Sequence, residues 1–367
     1  GYTSTMVAHF VGANRPTRVA ATVWQGVYFG IVSGALVALC GLLAEPLFRL
    51  VGHDPEVQKL EVIYFQVLCY AAPLVMAGHA VNGFFAGRHD TKKIFYAQAA
   101  GAVVNVAINW VLIFGRWGFP RMGILGAAIG VVLGQAAILL ILGGFFLRPK
   151  HQRDYGTWKR RALDWPLLRR LMRYGFPNGI RFAIEVSAWT ACLFFVGRLG
   201  KLELTATNIA WRIEGFAFFP VIGVAQAVAI LVGNAQGKED PSESMRVTRR
   251  VLAMSQIWMA SAALLFVLFP RGLFGLFYSA DSMTVEFFDS LVSFGTVLLR
   301  FVALYCLLDA FNIVILSALQ AAGDTRWTLW AALAANSVFL GALVWADIAH
   351  WGVYAEWGIA TGFVCAQ

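Results

Sequence analysis

Nine stretches of this chain are apolar for long enough to cross a lipid bilayer, and that limits its fold more than any other feature. At about 1.5 Å of rise per residue, a hydrocarbon core of about 30 Å needs roughly 20 residues of helix. Runs of that kind fall at 19–47, 58–87, 94–115, 123–147, 171–197, 203–234, 251–269, 287–322 and 328–349. Partial runs occupy 1–14 and 355–367. The longer runs exceed the bilayer's need and are expected to tilt or project beyond it. With 59% hydrophobic and 13% charged residues, the chain is far from a soluble domain, which carries about 25% charge. The net charge of +9 does not indicate a nucleic-acid partner, because the bases sit in short loops rather than on one soluble face.

Loop charge sets an orientation. Alternate loops counted from the first hold nineteen Lys and Arg residues, and the other set holds seven. Arg181, Arg212 and Arg300 lie inside spans. The positive-inside rule places the richer set in the cytoplasm. The most basic stretch, RPKHQRDYGTWKRRALDWPLLRRLMR, reads as a topology anchor at the lipid surface and divides the chain. The expected organisation is an N-terminal lobe at 1–147, a basic cytoplasmic linker at 148–170 and a C-terminal lobe at 171–367.

The two halves repeat each other. HFVGANRPTR (9–18) matches ILVGNAQGKED (230–240), and FFAGRHDTKK (84–93) matches LQAAGDTRW (319–327). GAAIGVVLGQ (126–135) matches GIATGFVCAQ (358–367), with Gly126/Gly358, Gly130/Gly362 and Gln135/Gln367 in register. Each matched loop starts on the same side, so the repeat is parallel, about an axis along the membrane normal. About sixty residues precede the first matched motif in the second half and only about ten in the first. The expectation is a parent of twelve spans, six plus six, with one helix and most of another missing at the start and the last unfinished.

Charged groups inside the spans are the candidates for function, since a carboxylate at the bilayer centre costs about 2.5–3.5 kcal/mol. Three acids lie deep: Glu185, Glu214 and Asp309. The other acids fall mostly in loops or at helix ends. Arg212 is two residues before Glu214 and Arg300 nine before Asp309, so no local base obviously neutralises them. One reading is a hydrogen-bonded structural carboxyl; the other is a site for a proton or a hard cation such as Na⁺ at Glu185 and Asp309. Asn105 and Asn109 stand one turn apart, and such amides either stitch helices together or bind ions. Phe182, Trp189, Trp211, Phe216, Phe218, Phe219 and Phe311 lie near the acids and are candidates to wall a cavity for a flat or cationic organic compound. Pro73, Pro177 and Pro220 sit in or near spans, where they free carbonyls and permit bending. The five cysteines are scattered singly and read as small buried hydrophobes, with no zinc or disulfide pattern. No phosphate-binding loop, H-E-x-x-H pair or G-x-S-x-G elbow occurs, which argues against a nucleotide-driven pump and against familiar hydrolases.

Taken together, the twin VG motifs closing the second span of each half, the DT turns after the fourth, N-x-x-x-N before LIFG, and GFPNGIRFAIEV (175–186) resemble the multidrug and toxic compound extrusion (MATE) family, in its NorM-like branch. The resemblance covers the whole chain. It implies an all-α, twelve-helix fold of two six-helix lobes related by a parallel pseudo-two-fold repeat, of which nine full spans and two partial ones are present. By position, Glu185 matches the family's seventh-helix acid, Asp309 that of the tenth, and Glu214 an acid common in the eighth. Asn105 and Asn109 match a fifth-helix amide pair around a first-helix acid. Gly130-Val131 stands where the sixth helix usually has Ala-Thr.

The resulting expectation is a monomeric, multi-pass protein of the bacterial inner membrane, not an enzyme and without a cofactor. It would export amphipathic or cationic compounds by antiport with Na⁺ or H⁺. Two alternatives remain at this point. A lipid-linked oligosaccharide flippase of the same superfold would need basic residues in its cavity. A membrane-embedded hydrolase would need two carboxylates to meet.

Overall fold

A computed structural model describes residues 2–52, 54–278 and 284–366. Gln367, the partner of Gln135 in the repeat, lies outside them. The described residues form α1 (Tyr2–Gly12), α2 (Pro16–Cys40), a 3-10 turn (Gly41–Leu43), α3 (Ala44–Val51), α4 (Pro55–Ala86), α5 (Thr91–Phe114), α6 (Ile124–Phe146) and α7 (Pro149–Tyr155). They continue with α8 (Trp165–Leu199), α9 (Lys201–Gly237), α10 (Pro241–Leu268), α11 (Pro270–Gly275), α12 (Val285–Ala322), α13 (Thr325–Ile348) and α14 (Val353–Ala366). Among the described residues nine helices are long and apolar enough to cross a membrane, and each carries one of the nine apolar runs. Helix starts follow local chemistry. Pro opens α2, α4 and α10, where its missing N–H costs nothing. The Asp54 and Asp240 carboxylates accept the amides of Glu56 and Glu243. Pro73, Pro177 and Pro220 all lie inside continuous helices.

Two compact units result: Gly1–Arg173 with Gly233–Glu239, and Tyr174–Val232 with Asp240–Gln367. In the first, Phe84, Phe85, Phe146, Leu142 and Leu171 belong to one buried core. In the second, a larger core gathers Tyr305, Phe274, Phe339, Met259 and Leu299. Large apolar side chains such as Val32, Leu36, Leu140 and Ile257 are exposed, as a hydrocarbon environment allows. Exposed Trp327 and Trp330 near one end of α13, with Trp345 and Trp351 at the other, sit where interfacial tryptophans concentrate. Cys69, Cys192 and Cys306 are buried as expected, but Cys40 and Cys365 are exposed. Both sit toward the end of an apolar helix.

Close packing in the first unit depends on glycine. A Cβ on Gly130 of α6 would run into the Oδ1 of Asn109 on α5, and one on Gly126 would reach Leu112. The spacing Gly126, Gly130, Gly134 is the small-xxx-small pattern that lets helix backbones approach in lipid. The twin VG motifs also meet here. Added Cβ atoms on Gly12 and Gly237 would strike the carbonyls of Asn234 and His9, and Asn234 Nδ2 donates to the Ala8 carbonyl at 3.3 Å. The repeat is not used symmetrically, since a Cβ at Gly358 or Gly362 meets nothing within 4 Å.

The basic stretch is folded onto this unit. Trp24 Nε1 donates to the Thr157 carbonyl (2.6 Å), Gln25 Nε2 to that of Ala162 (3.1 Å), and the Tyr28 hydroxyl to that of Arg161. Arg18 pairs with Asp164 at 2.7 Å. His151 of α7 is buried against Phe84, Phe85 and Tyr155, its Nδ1 2.8 Å from the Phe145 carbonyl. Burial pushes its imidazole below the ordinary histidine value. The Phe145 carbonyl and Asp90 oppose this, and Arg88 and Lys93 add to it.

Two predictions follow from this packing. Gly130→Ala overpacks the α5–α6 contact and is expected to cost about 1–3 kcal/mol, lowering the thermal midpoint in detergent. Gly362→Ala, at the equivalent repeat position, is expected to be neutral, since a Cβ there meets nothing within 4 Å; equal losses would contradict the asymmetry. Because His151 is lowered in the fold, the unfolded segment binds its proton first, so stability falls as pH drops below the ordinary histidine value. Hydrogen exchange of 149–164 is expected to quicken on acidification, and His151→Phe to blunt that response.

Candidate functional site

The three deep acids are brought together in the second unit. On α8, Phe182, Glu185, Val186, Trp189, Thr190 and Leu193 recur at intervals of three and four, so they form one face. On α9 the same periodicity aligns Trp211, Glu214, Gly215, Phe218 and Ile222. Tyr305 and Asp309, one turn apart on α12, complete the wall of a cavity of about 460 Å³. Side chains fix these helices. Trp258 Nε1 of α10 donates to the Ala217 carbonyl (2.9 Å) and Gln256 Nε2 to that of Leu307 (2.9 Å). Trp357 Nε1 of α14 donates to Thr207 Oγ1 (3.2 Å), and Asn312 Nδ2 of α12 to the Val364 carbonyl (2.8 Å).

Each acid meets a different environment. Glu185 Oε2 accepts from Arg181 Nη1 at 2.7 Å, an ion pair across one turn of α8. This corrects the expectation that no local base neutralises the deep acids: Arg181 is the base, and its i, i+4 spacing is visible in the sequence. Glu214 Oε2 accepts from the Tyr305 hydroxyl at 2.8 Å. Tyr305 was not singled out in the sequence, although it precedes Asp309 by one turn. Asp309 has no hydrogen-bond donor against its carboxylate among the described residues. Among these residues no three His, Cys, Asp or Glu side chains converge as a metal-ligand cluster, so the acids are spread over the wall.

Of the aromatic candidates, Phe182, Trp189, Trp211 and Phe218 line the cavity, and the Trp189 and Trp211 rings meet edge to face at 5.5 Å. Phe216, Phe219 and Phe311 point elsewhere and are exposed. No Lys or Arg lines the wall among the described residues, and Arg212 and Arg300 are exposed off it. A fourth buried acid was missed: Glu356, in the first turn of α14, is fully buried with both carboxylate oxygens unpaired. Its place at the edge of a partial apolar run gave no sign of burial.

Asn105 and Asn109 belong to the first unit. Asn109 Nδ2 donates to Asn105 Oδ1 at 3.3 Å, and the pair packs against Gly130 and Gly134 of α6. Asn109 Oδ1 is buried with no donor among the described residues.

A family model described as MatE matches residues 3–111 and 177–344. A probable multidrug resistance protein NorM of Rhizobium meliloti (strain 1021) is 27% identical over 361 residues, 97% of this chain and 73% of the relative. A like-named protein of Brucella suis biovar 1 (strain 1330) is 28% identical over 366 residues, 97% of this chain and 76% of the relative. Among solved structures, an outward-facing multidrug resistance MATE family transporter of the MOP superfamily matches with a TM-score of 0.86 at 19% identity. That match covers 99% of this chain and 79% of the other. A MATE structure in the straight conformation gives 0.85 at 20% identity, covering 99% and 80%.

The Tyr305–Glu214 bond makes a separable prediction. A buried hydrogen bond to a carboxylate is worth about 1.5–3 kcal/mol, so Tyr305→Phe is expected to lower the thermal midpoint. Glu214→Gln in that background is expected to lower it little further, giving clear coupling in a double-mutant cycle. Strict additivity would mean that the bond contributes nothing.

Proposed function

The chain belongs to the MatE family of multi-pass membrane transporters, and on that premise we propose that it is a secondary antiporter that exports organic cations against H⁺ or Na⁺. It is a transporter and not an enzyme, with its bacterial relatives a protein of the inner membrane, and it handles small molecules within a lipid bilayer. The proposal adds the coupling, the site and the mechanism. The observation that carries it is one wall holding Glu185, Glu214 and Asp309 beside Trp189, Trp211 and Phe182, with no basic side chain among the described residues. Aromatic faces and carboxylates together suit a flat cation, because both attract positive charge where water is scarce.

In this reading the coupling ion takes a carboxylate of the wall, principally Asp309, and the amphipathic cation loses its counter-charge and leaves. Alternating access is proposed between an N-terminal lobe (1–147) and a C-terminal lobe (171–367) joined by the basic segment 148–170, in a monomer. Asn105 and Asn109 are assigned a supporting polar site in the first lobe. A flippase for a pyrophosphate-linked lipid fits less well, because such a substrate needs cationic walls.

Asp309→Asn is the cleaner test of the acids. Glu185→Gln would strand Arg181, and breaking a buried pair from one side costs about 3–5 kcal/mol. In proteoliposomes of the full-length protein, Asp309→Asn is expected to cut gradient-driven efflux of tetraphenylphosphonium at least tenfold with normal insertion. Undiminished efflux in both Asp309→Asn and Glu185→Gln would sink the proposal.

A further inference from the structure

Arg181 has no place in the function argued so far, yet it is a base inside a membrane span, which is costly unless used. It touches the site from behind. Glu185 lines the cavity and Arg181 does not, but Nη1 of Arg181 holds Glu185 Oε2 at 2.7 Å. Both side chains are largely withdrawn from the surface, at 15% and 28% relative exposure. The guanidinium Nε is buried with no acceptor among the described residues. Of the two other wall acids, Glu214 is engaged by Tyr305 and Asp309 by no donor among the described residues.

We propose that Arg181 is the specificity-determining residue for the coupling ion, a tethered cation that occupies Glu185 in place of Na⁺ and leaves the wall selective for protons at Asp309. This rests on the antiporter reading and narrows it. A hard cation needs several oxygens converging on one point, and among the described residues no three His, Cys, Asp or Glu side chains converge in that way. With Glu185 held by a guanidinium and Glu214 by a phenol, a bare ion entering the cavity would find one open carboxylate. A proton needs only one oxygen. It passes from water to the Asp309 carboxylate, forming an O–H bond, and returns to water on the opposite side, so charge and atoms balance without another reactant.

The test is equilibrium binding of radioactive Na⁺ to the full-length protein in nanodiscs, with efflux of tetraphenylphosphonium driven separately by a pH or a Na⁺ gradient. Wild type is expected to show no saturable Na⁺ binding that depends on Glu185, and efflux at least tenfold faster with the pH gradient. Arg181→Gln is expected to gain a saturable Na⁺ site that disappears again in Arg181→Gln/Glu185→Gln. Arg181→Lys, which keeps a tethered charge, is expected to stay silent like wild type. Glu185→Asp, which shortens the acid and opens the pair from the other side, is expected to gain Na⁺ binding as Arg181→Gln does. The proposal is overturned if wild type binds Na⁺ in a way that Glu185→Gln abolishes, or if its efflux runs equally on a Na⁺ gradient. It is also overturned if folded Arg181→Gln and Glu185→Asp both fail to bind Na⁺. The wild-type arms decide even where a variant does not fold. Absence of efflux under either gradient would instead count against the antiporter reading, while the binding arm would still decide the role of Arg181.

Discussion

Hydrocarbon supplies neither donors nor acceptors, so each ionisable group in a span must find its partner in protein or in a wet chamber. The second unit meets that constraint in three ways on one wall. Glu185 has a full counter-charge on its own helix, and Glu214 has a neutral hydroxyl donor from α12. Asp309 has neither among the described residues, so its condition depends most on what the cavity contains. A graded set of this kind differs from three equivalent carboxylates, because only the least satisfied member gains much from an incoming positive charge.

Holding that gradation in place requires the helices to keep their register without a hydrophobic drive between them, since lipid tails are as apolar as leucine. The second unit uses side-chain N–H groups for this, from Gln256, Trp258, Asn312 and Trp357 to acceptors on neighbouring helices. Each such bond is worth only about 0.6 kcal/mol on average, but four of them tie α9, α10, α12 and α14 together around Glu214 and Asp309. The first unit relies more on backbone approach, with Gly126, Gly130 and Gly134 of α6 laid against α5. The same ten-residue motif recurs in α14, but there its glycines meet nothing. Sequence repetition therefore outlasts the packing reason for it.

What was legible in the sequence follows from how local each signal is. Span positions were readable because twenty consecutive apolar residues leave one option, and the described helices extend those runs by only a few residues in most cases. The acids were readable because charge inside a span is conspicuous. Arg181 was equally readable, one turn before Glu185, but Arg212 and Arg300 drew the argument although both are exposed. Aromatic rings were only half legible: Phe216, Phe218 and Phe219 fall within one helical turn of sequence, yet the helix sends only Phe218 to the cavity. Glu356 was not legible, because its burial depends on side chains from other helices. The docking of 148–164 onto α2 was hidden for the same reason, since Trp24 and Gln25 read as ordinary members of an apolar run.

Charge arithmetic on the wall bears on how exchange would be enforced. If all three wall acids were charged, three carboxylates less one internal guanidinium would leave two negative groups facing one chamber of low dielectric, where like charges repel strongly. One positive charge relieves that repulsion, whether it arrives as a proton on Asp309 or as an organic cation beside Trp189 and Trp211. A second positive charge gains much less, because Glu185 is already matched by Arg181. Under the proposed function, coupling ion and substrate would then exclude one another through a shared shortage of counter-charge, without needing to occupy the same atoms. If Arg181 were neutral, a third carboxylate would open and both could bind at once, so the arginine that narrows ion choice would also tighten the exchange.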